Sequence, residues 1–270
     1  MAKKKVTTVD VKRFWEDQAQ AYKESQLATN PDTHYRDIEM ESILRYLPDG
    51  KSVLDVGCGN GYSTFHFAHH RKGATFFGVD YSESMVAFAK KELATNEKKL
   101  AKRVSFAEGD VMKLSSVPEL KNKKFDYIIS ERCLINLANW KEQQVALLEM
   151  KKLLKKGGRI ILTENTQEGL ARLNGLRKQF ELAPISVRWH NYYMPENKLI
   201  DFAKKHFRLE SVENHGNLYY IISRVVYAKL AALEGKDPDY NHPINVIAAQ
   251  LPTLGEYHFS PNFIFILRNA

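Results

Sequence analysis

Val53-Leu54-Asp55-Val56-Gly57-Cys58-Gly59-Asn60-Gly61-Tyr62-Ser63-Thr64 is the segment from which the architecture of this chain can be read. An apolar run carries an acid near its end, meets three alternating glycines and passes into a helix start. Glycine lets a backbone turn sharply and approach a ligand without a Cβ in the way. Glycines at a first strand-to-helix crossover stand where open α/β sheets bind their ligands. A dinucleotide fingerprint is G-x-G-x-x-G; this loop is G-x-G-x-G, with Tyr62 where the third glycine would fall. Asp55 would repel a pyrophosphate and suits a cationic or ammonium-bearing ligand.

Outward from that loop the pattern repeats. Ala74–Val79, Val104–Ala107, Tyr127–Ser130 and Arg159–Thr163 read as further strands, with helices expected near 62–70, 83–95 and 141–155. The last of these has Gly157-Gly158 in the place of a C-cap glycine. Strand–helix alternation predicts a parallel sheet covered on both faces. Successive strand ends carry polar groups. Asp80 ends the second strand, where an acid can take both hydroxyls of a ribose. Asp110 beside Val111 follows the third and suits an adenine, with the amino group on the acid and the ring on the valine. The fourth delivers Ser130, Glu131, Arg132 and Cys133 to the same edge.

Residues before this core read as helical, from Val11, Phe14, Trp15 and Tyr22 to the stripe Met40, Ile43, Leu44, Leu47 that Pro48-Asp49-Gly50 breaks. Beyond 165 a helix near 167–180, a Pro/His/Tyr-rich stretch and a helix from Pro195 to Phe207 are expected. Leu209–Glu213, Tyr219–Val226 and Phe263–Leu267 read as strands, the last returning antiparallel to complete a seven-stranded sheet. The organisation expected is an N-terminal helical cap over 1–50, a core over 51–165, and lid and closing strands over 166–270 of the same domain.

Hydrophobic residues make up 44% and charged residues 27% of the 270, as in globular proteins. That excludes collagen-like, coiled-coil and globally disordered chains. No apolar stretch reaches the length of a membrane span, and the basic start Met1-Ala2-Lys3-Lys4-Lys5 has no apolar region behind it that would make a signal peptide. Two cysteines give neither a disulfide framework nor zinc-ligand spacing, so Cys58 and Cys133 are expected as buried thiols in a cytoplasmic protein with no metal site. A net charge of +8 admits an anionic partner, yet the lysines are scattered at helix ends and loops, as on a solvated rim.

The order D-V-G-C-G-N-G at 55–61, the acid Asp80, G-D-V at 109–111, the strand Asp126–Ser130 and L-K-K-G-G-R at 154–159 resembles the class I S-adenosylmethionine (SAM)-dependent methyltransferases. The likeness covers roughly 50–165 and implies a Rossmann-like, seven-stranded, mostly parallel sheet with helices on both faces and SAM as cofactor. Carried over by position, it implies that Gly57, Cys58, Gly59 and Asn60 hold the methionine portion, with Asp55 toward its ammonium group. Asp80, with Tyr81 and Met85 beside it, would bind the ribose. Asp110 and Val111 would hold adenine, and Ser130 with Glu131 would flank the sulfonium. Family members often close the pocket with an aromatic N-terminal helix, so Trp15, Tyr22 and Tyr35 are lid candidates. More faintly, 131–137 and the His190 and Arg224 segments resemble bacterial natural-product and surface-polysaccharide methyltransferases.

The acceptor is expected to be a small molecule, such as a natural product, a sugar or an anionic metabolite, with O-methylation favoured. A hydroxyl acceptor calls for a base, for which His34, His190 and His215 are candidates, with His190 in Arg188-Trp189-His190-Asn191-Tyr192-Tyr193 the best placed. An anionic acceptor calls for a cation, for which Arg132, Arg172 and Arg224 are candidates. Where many relatives carry a histidine pair after the fourth strand, Ile135-Asn136 stands here. His69-His70 reads as a solvated helix end. An RNA- or DNA-modifying enzyme is the main rival, weakened by the absence of D/N/S-P-P-aromatic and Pro-Cys motifs; a donor-binding partner without catalysis is another. A monomer or homodimer is expected.

Overall fold

The sheet is built from strands β1 (Ser52–Val56), β2 (Thr75–Asp80), β3 (Val104–Glu108), β4 (Phe125–Glu131), β5 (Leu154–Asn165), β6 (Arg208–Glu213) and β7 (Asn262–Arg268). They are seen in a computed structural model that describes residues 7–255 and 258–270; the basic run Lys3–Lys5 lies outside the described residues. The strand order is β3-β2-β1-β4-β5-β7-β6. The pairs among β1 to β5 are parallel, and β7 runs antiparallel between β5 and β6. This is the expected mostly parallel, Rossmann-like sheet with its returning strand. The chain leaves β1 toward β2 on one side and reaches β4 on the other, so the strand order reverses between β1 and β4. A crevice opens at such a point.

The strands are apolar on both faces because both faces are covered. Leu54, Val56, Ile128, Ile160, Leu162, Phe263 and Phe265 enter one core; Val53, Ile129, Ile161, Ile264 and Ile266 enter the other. Each such side chain, fully buried, contributes about 1.5–3 kcal/mol. Helices α1 (Thr8–Tyr22), α2 (Thr33–Leu44), α3 (Tyr62–His70), α4 (Glu83–Thr95), α5 (Trp140–Leu153), α6 (Gln167–Gln179) and α7 (Glu196–His206) surround the sheet. Several start on side-chain caps that satisfy otherwise orphaned N–H groups. Thr7 and Asp10 form a capping box on α1, Ser82 accepts from Met85 N on α4, and Thr166 accepts from Gly169 N on α6.

Two expectations differ from the structure. Tyr219–Val226 is helical: α8 (Asn217–Ile221) passes through one π-helical turn (Ile222–Val226) into α9 (Tyr227–Leu233). The sheet positions are taken by β6 and β7, and Tyr219, Ser223 and Ala228 fall on one buried side. The run continues into Ala-Lys-Leu-Ala-Ala-Leu, strong helix formers that carry the helix onward. Gly157-Gly158 does not cap α5, which ends at Leu153. Gly157 has φ +74, and a Cβ on Gly158 would lie 2.9 Å from the Asp126 carbonyl oxygen, so the pair lets the start of β5 pass close to β4. A last helix, α10 (Pro243–Ala249), follows the polar loop. No helix among the described residues is long and apolar enough to cross a membrane.

Candidate active site

The carboxyl ends of β1, β2, β3 and β4 open into a cavity of about 640 Å³. The glycine loop forms its floor. Gly57 N and Cys58 N donate to Val79 O at 2.8 and 3.1 Å, fastening the loop to β2. Gly57 takes φ +74, and a Cβ there would sit 2.5 Å from Cys133 Sγ, so this position requires glycine. Gly59 N donates to Asp80 Oδ2 and Ser82 N to Asp80 Oδ1, both at 2.9 Å. Asp80 is thereby aimed at the cavity mouth with lone pairs to spare. Burial pushes its pKa up to about 6, against the pull of those backbone N–H groups. Asp55 is buried beneath the loop with Thr64 Oγ1 donating to its Oδ2, and burial pushes its pKa up to about 7. Neither acid has a cationic ion-pair partner among the described residues, so each is a buried anion site waiting for positive charge or hydrogen-bond donors.

Asp55, Gly57, Cys58, Gly59, Asp80, Tyr81, Met85, Asp110, Val111, Glu131, Arg132, His190 and Trp15 all line this one cavity. Three of the residues expected to hold or cover the cofactor stand outside its lining. Asn60 donates from Nδ2 to Lys23 O and Ser25 O, both at 2.8 Å, and so tethers the segment after α1. Ser130 lies in the sheet with its Oγ 3.4 Å from Glu164 Oε1. Tyr22 is 42% exposed at the end of α1. Cys58 and Cys133 are free thiols, both pushed up by burial.

The far side of the cavity is assembled from distant segments. Trp15 on α1 donates from Nε1 to Asn136 Oδ1 at 3.1 Å, while Asn136 Nδ2 donates to Arg132 O and Cys133 O. The residue in the place of a histidine pair thus latches the N-terminal helix to the turn after β4. His190 is buried against Phe14, with ring centroids 4.1 Å apart, and is flanked by Trp15 and Trp189. Burial, with Arg188 nearby, lowers its pKa to about 4, and its Nδ1 has no hydrogen-bond partner. It is therefore a neutral imidazole facing the cavity. His215 is buried behind Tyr35 and His34 lies on α2, neither in the lining.

Of the three candidate cations, Arg132 and Arg224 line the cavity, each already beside an acid. Arg132, at φ +50, lies 3.0 Å from Glu39 Oε2 and 3.6 Å from Glu131 Oε1. Burial opposes its charge, yet Glu39 and Glu131 hold its guanidinium above the ordinary arginine value. Arg224 pairs with Asp32 and sits 4.3 Å over the Tyr240 ring. Arg172 is engaged by Glu196 at 2.7 Å and lies outside the lining. Sequence reasoning missed Arg36. It donates to Gln26 O at 2.8 Å and to Thr29 Oγ1, lies 5.2 Å from the Tyr62 ring centroid, and keeps a buried Nε without a partner at the cavity. Arg36 and Glu39 fall four residues before Met40 and Ile43, so charged residues on the apolar stripe of α2 were the available signal. Asn165 at the end of β5, with Oδ1 unpartnered, and Tyr193, Tyr220 and Tyr240 complete the far lobe.

The lining fits an adenosyl sulfonium ligand by its unspent groups. Two buried acids await a cation or hydroxyls, while Arg36 Nε and the Tyr81 hydroxyl are buried without partners in the same lining.

A family model described as a methyltransferase domain matches residues 47–221. The chain is 30% identical over 214 residues to the demethylmenaquinone methyltransferase of Tropheryma whipplei (strain Twist), covering 77% of each chain. It is 24% identical over 197 residues to a tRNA N(3)-methylcytidine methyltransferase of Schizosaccharomyces pombe (strain 972 / ATCC 24843), covering 71% of this chain and 62% of that one. In fold it is similar to the N-methyltransferase NodS from Bradyrhizobium japonicum WM9, solved in complex with S-adenosyl-l-homocysteine. That likeness has a TM-score of 0.58 at 14% identity, over 96% of this chain and 98% of that one.

Proposed function

The chain belongs to the methyltransferase-domain family, the class I SAM-dependent methyltransferases, and from that premise we propose that it methylates an oxygen of a small hydroxylated molecule. The observation that carries this reading is the continuity of one cavity, from Asp80 and Asp110 at one end to His190, Tyr193, Tyr220 and Tyr240 at the other. The far lobe is covered by α1, the 185–193 segment and the α8–α9 helix. That cover favours an acceptor small enough to be enclosed over a nucleic-acid strand lying in an open groove.

SAM supplies a methyl on a sulfonium, whose transfer disperses positive charge, so what the protein must provide is alignment and exclusion of water. On this reading Asp55 holds the ammonium group of the methionine portion, and Arg36 Nε faces its carboxylate. Asp80 takes the ribose hydroxyls with Met85 behind them, and Asp110 with Val111 takes the adenine. Trp15, latched to Asn136, closes the top. His190 receives the acceptor's hydroxyl. A ring kept neutral down to about pH 4 offers a lone pair across the physiological range and orients the oxygen by accepting its hydrogen bond; so low a value makes it a weak base, and the proton leaves to solvent once the methyl has transferred. The +8 charge and the tRNA-modifying relative are what the rival reading rests on.

The test is incubation of the purified protein with methyl-labelled SAM and, separately, phenols, sugars, hydroxy acids and bulk tRNA. Label entering a low-molecular-weight acceptor, located on oxygen by mass spectrometry, is expected. Label entering tRNA alone, or carbon alone, overturns the reading.

A further inference from the structure

On the outer face of α2 and α3, away from the cavity, Glu41, His66 and His70 bring their ligand atoms within 4.8 Å of one another. We propose that these three residues form a binding site for a zinc-like divalent cation that clips the cap helix α2 to the core helix α3. His66 and His70 are four residues apart on α3 and so project from one face. Their ring centroids are 4.2 Å apart at 33°. His70 Nδ1 lies 2.8 Å from the His66 carbonyl oxygen, to which it donates as an N–H. That bond fixes the tautomer and leaves Nε2 with its lone pair, the outer-sphere arrangement typical of metal-binding histidines. Glu41, from the last turns of α2, brings Oε1 to 3.3 Å from His66 Nε2.

The plain alternative is an ion pair between protonated His66 and Glu41. That pair accounts for one ring only, whereas the His70 ligand atom also lies within 4.8 Å of the other two. Two imidazole nitrogens beside a carboxylate are a donor set for zinc, nickel or copper, with remaining positions left to water. Calcium and magnesium, which favour all-oxygen shells, match it poorly. The neighbouring His69 is engaged elsewhere, 2.8 Å from Glu97. A clip here acts on α2 from outside, whereas Tyr35, Arg36 and Glu39 act on it from within. It would therefore steady the helix that roofs the cavity, independently of the assignment of the reaction.

Calorimetric titration of the full chain with zinc chloride, paired with melting curves, tests the site without any methyl-transfer assay. One equivalent of zinc is expected to bind, to raise the melting temperature and to resist displacement by excess magnesium. His70→Ala should weaken binding about tenfold or more and remove the shift in melting temperature. Glu41→Gln, which leaves α3 untouched, should weaken it less, and His69→Ala should leave it unchanged. Unaltered zinc affinity in His70→Ala and His66→Gln, loss of affinity in His69→Ala, or no saturable binding to the parent overturns the proposal.

Discussion

Asp55 in β1 and Asp80 at the end of β2 are buried carboxylates answered only by hydroxyl and backbone N–H groups. Along the neighbouring wall the buried charges answer each other: Arg132 lies between Glu39 and Glu131, and Arg224 against Asp32. The two sets carry similar residue types with opposite consequences. Buried charge without a counter-ion raises the free energy of the ligand-free protein and is relieved by a complementary ligand. Buried charge already matched ties chain segments together, here α2 to the turn after β4 and the segment before α2 to the α8–α9 helix. In this cavity, then, unmatched acids point to what binds, and matched pairs to what holds the walls.

The sharpest way to break that contrast is to unmatch a pair. Glu39→Gln leaves Arg132 buried with Glu131 alone at 3.6 Å. A loss of about 2 kcal/mol in unfolding free energy is expected, below the usual range for a broken buried pair because one acid remains and burial raises the Glu39 pKa to about 8. Urea denaturation measures it, and a loss under about 1 kcal/mol would mean that this wall is not held by its charges. The converse substitution acts on an unmatched acid. Asp80→Asn keeps the shape and one of two backbone hydrogen bonds while removing a carboxylate that burial disfavours, so stability should hold within about 1 kcal/mol. Affinity for SAM, measured by calorimetry, should instead fall by about 1–3 kcal/mol. Unchanged affinity would remove the ribose assignment.

What could be read from sequence follows the same division. The Gly57–Gly61 loop, Asp80 and Asp110 each follow a strand within a few residues, so spacing along the chain fixes their spacing in space. The far lobe has no such local grammar. Its members come from α1, α2, the end of β5, 185–193 and 217–240, and only packing brings them together. Tyr219–Val226 reads as a strand because Tyr, Ile and Val favour strands, while the run of helix formers after it and the occupied sheet positions make it helical. Arg132 was legible as a residue out of place, but its partner Glu39 lies on another helix. Arg36 and Glu39 were visible in principle, as charges on an apolar stripe.

The finest probe of the contrast is pH, because burial raises the unmatched Asp55 into the working range. Asp55 in the ligand-free protein has a pKa raised to about 7, so at pH 6 most molecules carry it protonated and at pH 7.5 most carry it ionised. If it holds an ammonium group, binding requires the ionised form, and a proton must leave before SAM is held. Affinity should therefore rise with pH, the dissociation constant falling about eightfold from pH 6 to 7.5. Asp80, with a pKa raised to about 6, adds a smaller change of the same sign at the acid end. An α-amino group has its own midpoint at about 7.7–8.0, so its partial loss of a proton at pH 7.5 trims that factor to about fivefold or sixfold. His190, lowered to about 4, stays neutral throughout and contributes nothing to the slope. Asp55→Asn should weaken binding at pH 7.5 and leave only the shallow slope of Asp80. A slope in that variant as steep as in the parent would move the titrating group elsewhere and detach Asp55 from the ammonium, while a flat profile in both would place the acid's pKa in the ordinary carboxylate range, a buried anion already satisfied by Thr64 and the loop.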